Sequence, residues 1–265
     1  MIPTAFVNAW RSNAPWSTPD QVEQDLVLSR AIVALYRDPT IAQSLAFRGG
    51  TVLHKLHLPQ AYRYSNDLDF VQLAAGPIGP LLKATRRALS PFLGGDDVYK
   101  VGETMTTLTY RFQSAGLQPV PLKLKIEINT REHFSVHPTI RMPFEMTNPW
   151  FTGAADCVTY SLPELIGTKL RALYQRKKGR DLFDISLVLA QTDVDVAAIV
   201  ECFQRYMDHE RHSVTQRMFI DNLAEKRTSR VFREDMLPLL APSVRYDVDE
   251  AFQLVSDRIV PLLHS

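Results

Sequence analysis

The stretch FRGGTVLHKLHLPQAYRYSNDLDF, residues 47–70, decides how the rest of the chain is read. It sets Gly49, Gly50 and Thr51 ahead of an amphipathic run, then places Arg63, Ser65, Asp67 and Asp69 at alternate positions. Successive strand side chains point to opposite faces, so Asp67 and Asp69 share one face while Leu68 and Phe70 turn into the core. Carboxylates held about 6 to 7 Å apart along a strand repel each other unless a cation sits between them. Oxygen-only ligands favour Mg2+ or Mn2+, and Mg2+ typically takes one or two carboxylates together with substrate phosphates. Gly50-Thr51 opens a predicted helix with Val52, Leu53 and Leu56 inward, and the free N–H groups of a helix start suit an anion. Each piece also has a plain reading: a glycine pair makes a turn, and acidic residues at i and i+2 line the solvated face of a strand. Their order sets an anion cradle next to a cation clamp, which is what a metal–triphosphate complex requires.

The 265 residues are 45% hydrophobic, enough for one large domain or two lobes with a real core. Thirty basic residues against 29 acidic leave the chain near neutrality, so any nucleic-acid surface has to be local. Cys157 and Cys202 lack metal-ligand spacing and read as buried small hydrophobes in a reducing compartment. The first residues show no signal-peptide pattern, and no stretch approaches the roughly 18 apolar residues of a membrane span. A cytoplasmic protein without membrane contact is expected.

Thr18-Pro19-Asp20-Gln21 carries an N-cap, a proline at N1 and a capping-box glutamine, and it opens a predicted scaffold helix ending before Asp38-Pro39. A short helix through Leu45 is expected to lead into the glycine turn. After Asp69 come a Gly/Pro loop, a helix over 81–89 bearing Lys83, Arg86 and Arg87, and a hairpin. Thr106, Leu108, Tyr110 and Phe112 alternate with polar residues, as do Leu122, Leu124, Ile126 and Ile128. Residues 131–159 read as an irregular loop with incidental histidines at 133 and 137. Ser161-x-x-Glu164 predicts a second capping box, and Leu162, Leu165, Ile166, Leu170 and Leu173 a buried stripe. Lys169 falls inside that stripe, which is costly unless the ammonium snorkels to the rim or meets an anion. Arg176 to Arg180 reads as a basic last turn with Gly179 as C-cap, and Asp181 as the cap of the next helix. Helices are expected near 196–207, 215–226 and 249–263.

The string Gly49-Gly50-Thr51, then Arg63-x-Ser65-x-Asp67-x-Asp69, resembles the motif of the AbiEii/AbiGii-type toxins, the group that includes the MenT toxins. These belong to the DNA polymerase beta-like nucleotidyltransferase superfamily. Lys169 with Arg180-Asp181-Leu182-x-Asp184 resembles the second half of the same pattern, so the likeness runs over roughly residues 45–190. Arg48 and Thr51 stand where the pattern of many relatives has lysine and serine, changes that keep the charge and the hydroxyl.

The resemblance implies a bilobed α+β fold: a nucleotidyltransferase lobe over residues 1–155 with a mixed sheet flanked by helices, and a helical lobe over 156–265. It implies transfer of a nucleoside monophosphate from an NTP to RNA, at the tRNA 3′ end, blocking translation. Asp67, Asp69, Lys169 and Asp184 would serve catalysis, with Gly49, Gly50, Thr51, Ser65 and Lys169 on the nucleotide. Asp67, Asp69 and Glu127 would hold Mg2+ or Mn2+. Glu127 also reads as part of a solvated Lys/Lys/Glu/Asn face. A cognate antitoxin is the implied partner. A metal-dependent nuclease, a protein-modifying nucleotidyltransferase and a non-catalytic nucleotide- or partner-binding module remain as alternatives.

Overall fold

The computed structural model describes residues 2–95, 97–116 and 118–264. Contacts divide the chain into two compact units, Met1–Phe134 with Thr139–Tyr160, and Ser135–Pro138 with Ser161–Ser265. The first is mixed α and β and the second is helical, within the α+β class expected. Among the described residues no helix is long and apolar enough to cross a membrane.

The first unit begins with α1 (Thr4–Ala9), α2 (Pro19–Tyr36) and α3 (Pro39–Ser44), then runs through β1 (Leu45–Arg48) into α4 (Gly49–Val52). A π-helical turn, Leu53–His57, extends α4, and β2 (Asp67–Gln72), α5 (Gly79–Leu93) and β3 (Asp97–Val101) follow. β4 (Met105–Gln113), β5 (Pro121–Asn129), β6 (Ile140–Asn148) and β7 (Phe151–Thr159) complete it. The seven strands form one sheet in the order β3-β4-β5-β2-β1-β7-β6, parallel at β1/β7 and β2/β5 and antiparallel elsewhere.

The Thr18 capping box forms with Gln21, and α2 buries most of its length because it packs on β5, β6 and β7. A charge inside so buried a helix needs partners. Asp25 has them: Trp10 Nε1 donates at 2.8 Å, Trp16 Nε1 at 3.1 Å and Lys55 Nζ at 2.6 Å. That carboxylate ties the amino-terminal segment and the π-helical turn to α2. The face of the sheet carrying Leu68, Phe70, Leu124 and Ile126 is buried, while Asp67, Asp69, Lys125, Glu127 and Thr107 lie half-exposed on the other.

Two expectations about strands fail. The helix expected through Leu45 stops at Ser44, and Leu45, Ala46 and Phe47 are buried as a central strand between β2 and β7. A strand covered on both sides is a continuous apolar run, with no alternation to betray it. The stretch expected to be irregular holds the β6/β7 hairpin. Pro143 sits in β6, at the sheet edge, where a missing N–H breaks no ladder.

The second unit contains α6 (Leu162–Gln175), α7 (Gly179–Gln191), α8 (Val196–His209), α9 (Gln216–Thr228), α10 (Arg230–Glu234) and α11 (Val248–Ile259). Leu165, Ile166, Leu170, Leu173, Ile185, Phe203 and Phe219 fill its core. Ser161 is the N-cap of α6 but its hydroxyl makes no cap bond. Glu164, fully buried, accepts instead from Val136 N (2.7 Å), His137 N (3.0 Å) and Tyr206 Oη (2.8 Å), so it holds tertiary structure and not the helix start. Gly179 opens α7 and does not close α6: a Cβ there would collide with Phe232 O. Asp181 is no cap either, since its carboxylate takes the Arg176 guanidinium at 2.7 and 2.9 Å. Cys157 and Cys202 are free and buried, and burial pushes both thiols up to about 12.

Candidate active site

The chain leaves β1 at Arg48 in extended conformation and turns at Gly49 with φ +86°. A Cβ on Gly49 would strike the Asp69 carboxylate, and one on Gly50 would strike the Arg63 guanidinium. Both glycines are therefore fixed by close approach, the first by its dihedral as well. Thr51, buried, places Oγ1 2.6 Å from Asp67 O, to which it donates, and 2.9 Å from Ser65 Oγ, which supplies the other hydrogen. Arg63 is 3% exposed and donates from Nη1 to Tyr64 O at 3.1 Å. Each member of Gly49-Gly50-Thr51 thus meets its own member of Arg63-x-Ser65-x-Asp67-x-Asp69. The two motifs are one packed unit.

Strand register assembles the charges around it. Arg48 lies opposite Asp69 across β1/β2, while Asp67 lies opposite Lys125 and Asp69 opposite Glu127 across β2/β5. Lys125 Nζ sits 2.7 Å from Glu127 Oε1. Burial works against charge on this lysine, but the Glu127 hydrogen bond and the fields of Asp67, Glu127 and Asp69 outweigh it and hold its pKa above the usual range. An ammonium is the resident cation of the acidic face. Arg48 pairs with Glu132 at 3.3 Å, and Glu132 also accepts from Asn129 at 3.2 Å.

Among the described residues no three acidic, His or Cys side chains group closely enough to cage a metal ion. The expected trio of Asp67, Asp69 and Glu127 does not form a closed set, because Glu127 is drawn to Lys125. Two carboxylates on one strand face still fit Mg2+, which takes one or two protein carboxylates and completes its shell with phosphate and water. His133 and His137 make no metal pair: His133 Nδ1 lies 2.8 Å from Gln72 O, and His137 hydrogen-bonds Glu164 through its backbone N–H. His57, at the end of the π-helical turn, is pushed by burial down to about 4 and is neutral at neutral pH.

In the second unit, Lys169 of α6, 7% exposed, meets the fully buried Asp184 of α7 at 2.6 Å. The inward lysine thus has its anion, and Asp184, not Asp181, supplies it. Tyr246 packs edge-on against Phe183, and its hydroxyl is raised by burial and by the Asp184 charge. The basic residues of the 81–89 helix and of the Arg176–Arg180 turn are largely engaged in ion pairs: Arg86 with Asp97, Arg87 with Asp38, Arg176 with Asp181 and Lys177 with Glu225. Lys83 and Lys178 are exposed. Lys125 went unread as a site residue, although its place two positions before Glu127 on a strand was the available signal.

No curated protein matches the chain. MenT4, a nucleotidyltransferase toxin from Mycobacterium tuberculosis H37Rv, superposes with TM-score 0.69 over 99% of this chain and 90% of its own, at 17% identity, and so shares the fold. An antigenic nucleotidyltransferase-like protein from Paracoccidioides brasiliensis reaches TM-score 0.38 over 85% of this chain and 92% of its own, at 14% identity, too loose a likeness to carry argument. Residues 33–254 match the family described as the nucleotidyl transferase AbiEii toxin of type IV toxin–antitoxin systems, so the interlocked glycine and aspartate motifs belong to a nucleotidyltransferase toxin of the AbiEii family.

Proposed function

We propose that this toxin transfers a nucleoside monophosphate from an NTP to an RNA hydroxyl, at the 3′ end of tRNA, so that translation stops. It acts in the cytoplasm, where both substrates are found, and a cognate antitoxin opposes it. The observation that carries this reading is the packing of Gly49-Gly50-Thr51 onto Asp69, Arg63, Ser65 and Asp67, which holds the glycine turn against the Asp69 carboxylate and the Asp67 main chain.

Phosphoryl-type transfer depends on positioning and charge neutralisation more than on covalent chemistry. Asp67 and Asp69 would hold the divalent ion, Mg2+ or Mn2+, together with the triphosphate. The chemistry such an ion would supply is acidification of the acceptor hydroxyl and neutralisation of the leaving pyrophosphate. The hydroxyl gives its proton to solvent, and its oxygen bonds to the α-phosphorus as the bond to pyrophosphate breaks. Gly49, Gly50 and Thr51 receive the phosphates through backbone N–H groups. The Thr51 hydroxyl is already engaged by Asp67 O and Ser65, so Thr51 and Ser65 position the turn. Arg63, buried against Gly50, stiffens it. Glu127 sets Lys125 beside the aspartates. Lys169, paired with Asp184, neutralises phosphate, an assignment resting on the family pattern.

The test is incubation with each labelled NTP, Mg2+ and total RNA, comparing wild type with Asp69→Ala. Label on tRNA-sized RNA from the wild type alone supports the proposal. RNA cut without any NTP requirement would make the protein a nuclease. Label on protein bands that survive ribonuclease would make a protein the acceptor, and a phenotype intact in Asp67→Ala would remove catalysis from the account.

A further inference from the structure

Within the first unit, a cavity of about 380 Å³ is lined by Glu23 and Val27 of α2, Phe92 and Leu93 of α5, Phe112 of β4, and Trp150 in the turn between β6 and β7. None of these residues belongs to the glycine and aspartate motifs. The volume falls within the range of small-ligand sites, roughly 300–1,000 Å³.

The walls are apolar and aromatic apart from one acid, Glu23, and one amide, Gln113. Glu23 is 3% exposed, and its Oε2 accepts from Ala115 N at 2.7 Å. Its Oε1 is buried without a hydrogen-bond partner among the described residues. A carboxylate so enclosed is costly unless a donor reaches it. Burial accordingly raises its pKa, which only the Ala115 bond and a nearby positive charge counter, while Asp20 adds to the rise. Phe92 and Trp150 are held in place by Arg30, whose guanidinium lies 4.3 Å from each ring centroid, and the two rings meet edge to face at 5.9 Å. A rigid aromatic corner and an acceptor lacking a donor share one cavity. Aromatic corners are a common means of holding flat or cationic ligands.

We infer that this cavity is a second ligand site, taking a small aromatic ammonium compound whose N–H group donates to Glu23 Oε1 while its ring packs against Phe92, Phe112 and Trp150. Arg30 already occupies a face of the aromatic corner, so the ligand's charge lies at the Glu23 end.

The probe is phenethylammonium chloride, titrated into the full isotope-labelled chain and read at the Val27, Gln113 and Ala115 amides, with phenethyl alcohol as its uncharged counterpart. Saturable shifts are expected for the ammonium, at least about tenfold weaker binding for the alcohol, and about tenfold loss in the isosteric Glu23→Gln. Leu93→Trp, which fills the cavity from a half-exposed position, is expected to abolish binding of both, and it decides the matter should Glu23→Gln lose its fold. Asp69→Ala is expected to bind the probe as wild type does. Absence of saturable shifts in the wild type, equal affinity for both compounds, or binding that survives in Glu23→Gln or Leu93→Trp overturns the inference.

Discussion

Gly49→Ala separates what the glycine turn does for folding from what it does for chemistry. Gly49 has φ +86°, and an added Cβ would run into the Asp69 carboxylate. Gly94 has nearly the same dihedral, φ +83°, with nothing within 4 Å of a built Cβ. Gly94 combines this φ with ψ 177°, a backbone region essentially confined to glycine, so Gly94→Ala measures the positive-φ strain alone, about 1–3 kcal/mol. Gly49→Ala adds the displacement of Asp69, bringing the loss to about 2–4 kcal/mol. A displacement of about 1 Å in a positioned group costs roughly 100-fold in rate, so transfer should fall by that order and require more divalent ion. Urea midpoints for both variants, with transfer rates across a Mg2+ titration, make the comparison. Equal stability losses in the two, with Gly49→Ala transferring nucleotide at the wild-type metal requirement, would show that Asp69 does not depend on the space above it.

The other predictions concern charge. Lys125→Met removes the ammonium paired with Glu127 at 2.7 Å, and the divalent concentration for half-maximal transfer should fall roughly threefold to tenfold. An unchanged or higher requirement would mean the lysine does not compete with the ion. Lys226 is 2% exposed and burial pushes it down to about 8 from the ordinary 10.5. Between those values the unfolded chain binds more protons, so this group adds stability as pH rises through that window, by up to about 3 kcal/mol. Cys157 and Cys202, raised to about 12 from 9, act in the opposite sense above pH 9. The quantity to measure is therefore the difference between wild type and Lys226→Met in urea at several pH values; a flat difference refutes the burial effect. Lys169→Met takes the ammonium away from the fully buried Asp184 and should cost about 3–5 kcal/mol, with Asp184→Leu added to it restoring most of that. If the pair serves the reaction, the stable double variant still lacks transfer; recovered transfer would make it structural only.

Much of the fold was legible where the pattern is local. The Thr18 box, the alternation in β4 and β5, and the apolar stripe of α6 each fit within a few residues of sequence. What escaped is set by distant neighbours. β1 is a strand because β2 and β7 flank it, and Thr159 Oγ1 donates to Phe47 O at 2.8 Å across 112 residues of sequence. β6 and β7 were hidden by Pro143 and by the run Gly153-Ala154-Ala155, which offers little alternation to read. The Ser161-x-x-Glu164 box was locally consistent and still wrong, because two backbone N–H groups and the Tyr206 hydroxyl outbid the helix start for Glu164.

The candidate site was legible for a different reason. Its spacing looks like chemistry, yet in the structure it is equally a packing rule. The turn can lie on β2 only if Gly49 leaves room for Asp69 and Gly50 leaves room for Arg63, while Thr51 spans Ser65 and the Asp67 carbonyl. Moving Asp67 or Asp69 by one position along β2 would send its side chain to the other face. The acidic pair alone is an ordinary strand face and the glycine pair alone an ordinary turn. Their separation is fixed because each fills the space the other leaves, so a change that preserves the aspartates but alters the glycines should disable the site as surely as removing a carboxylate.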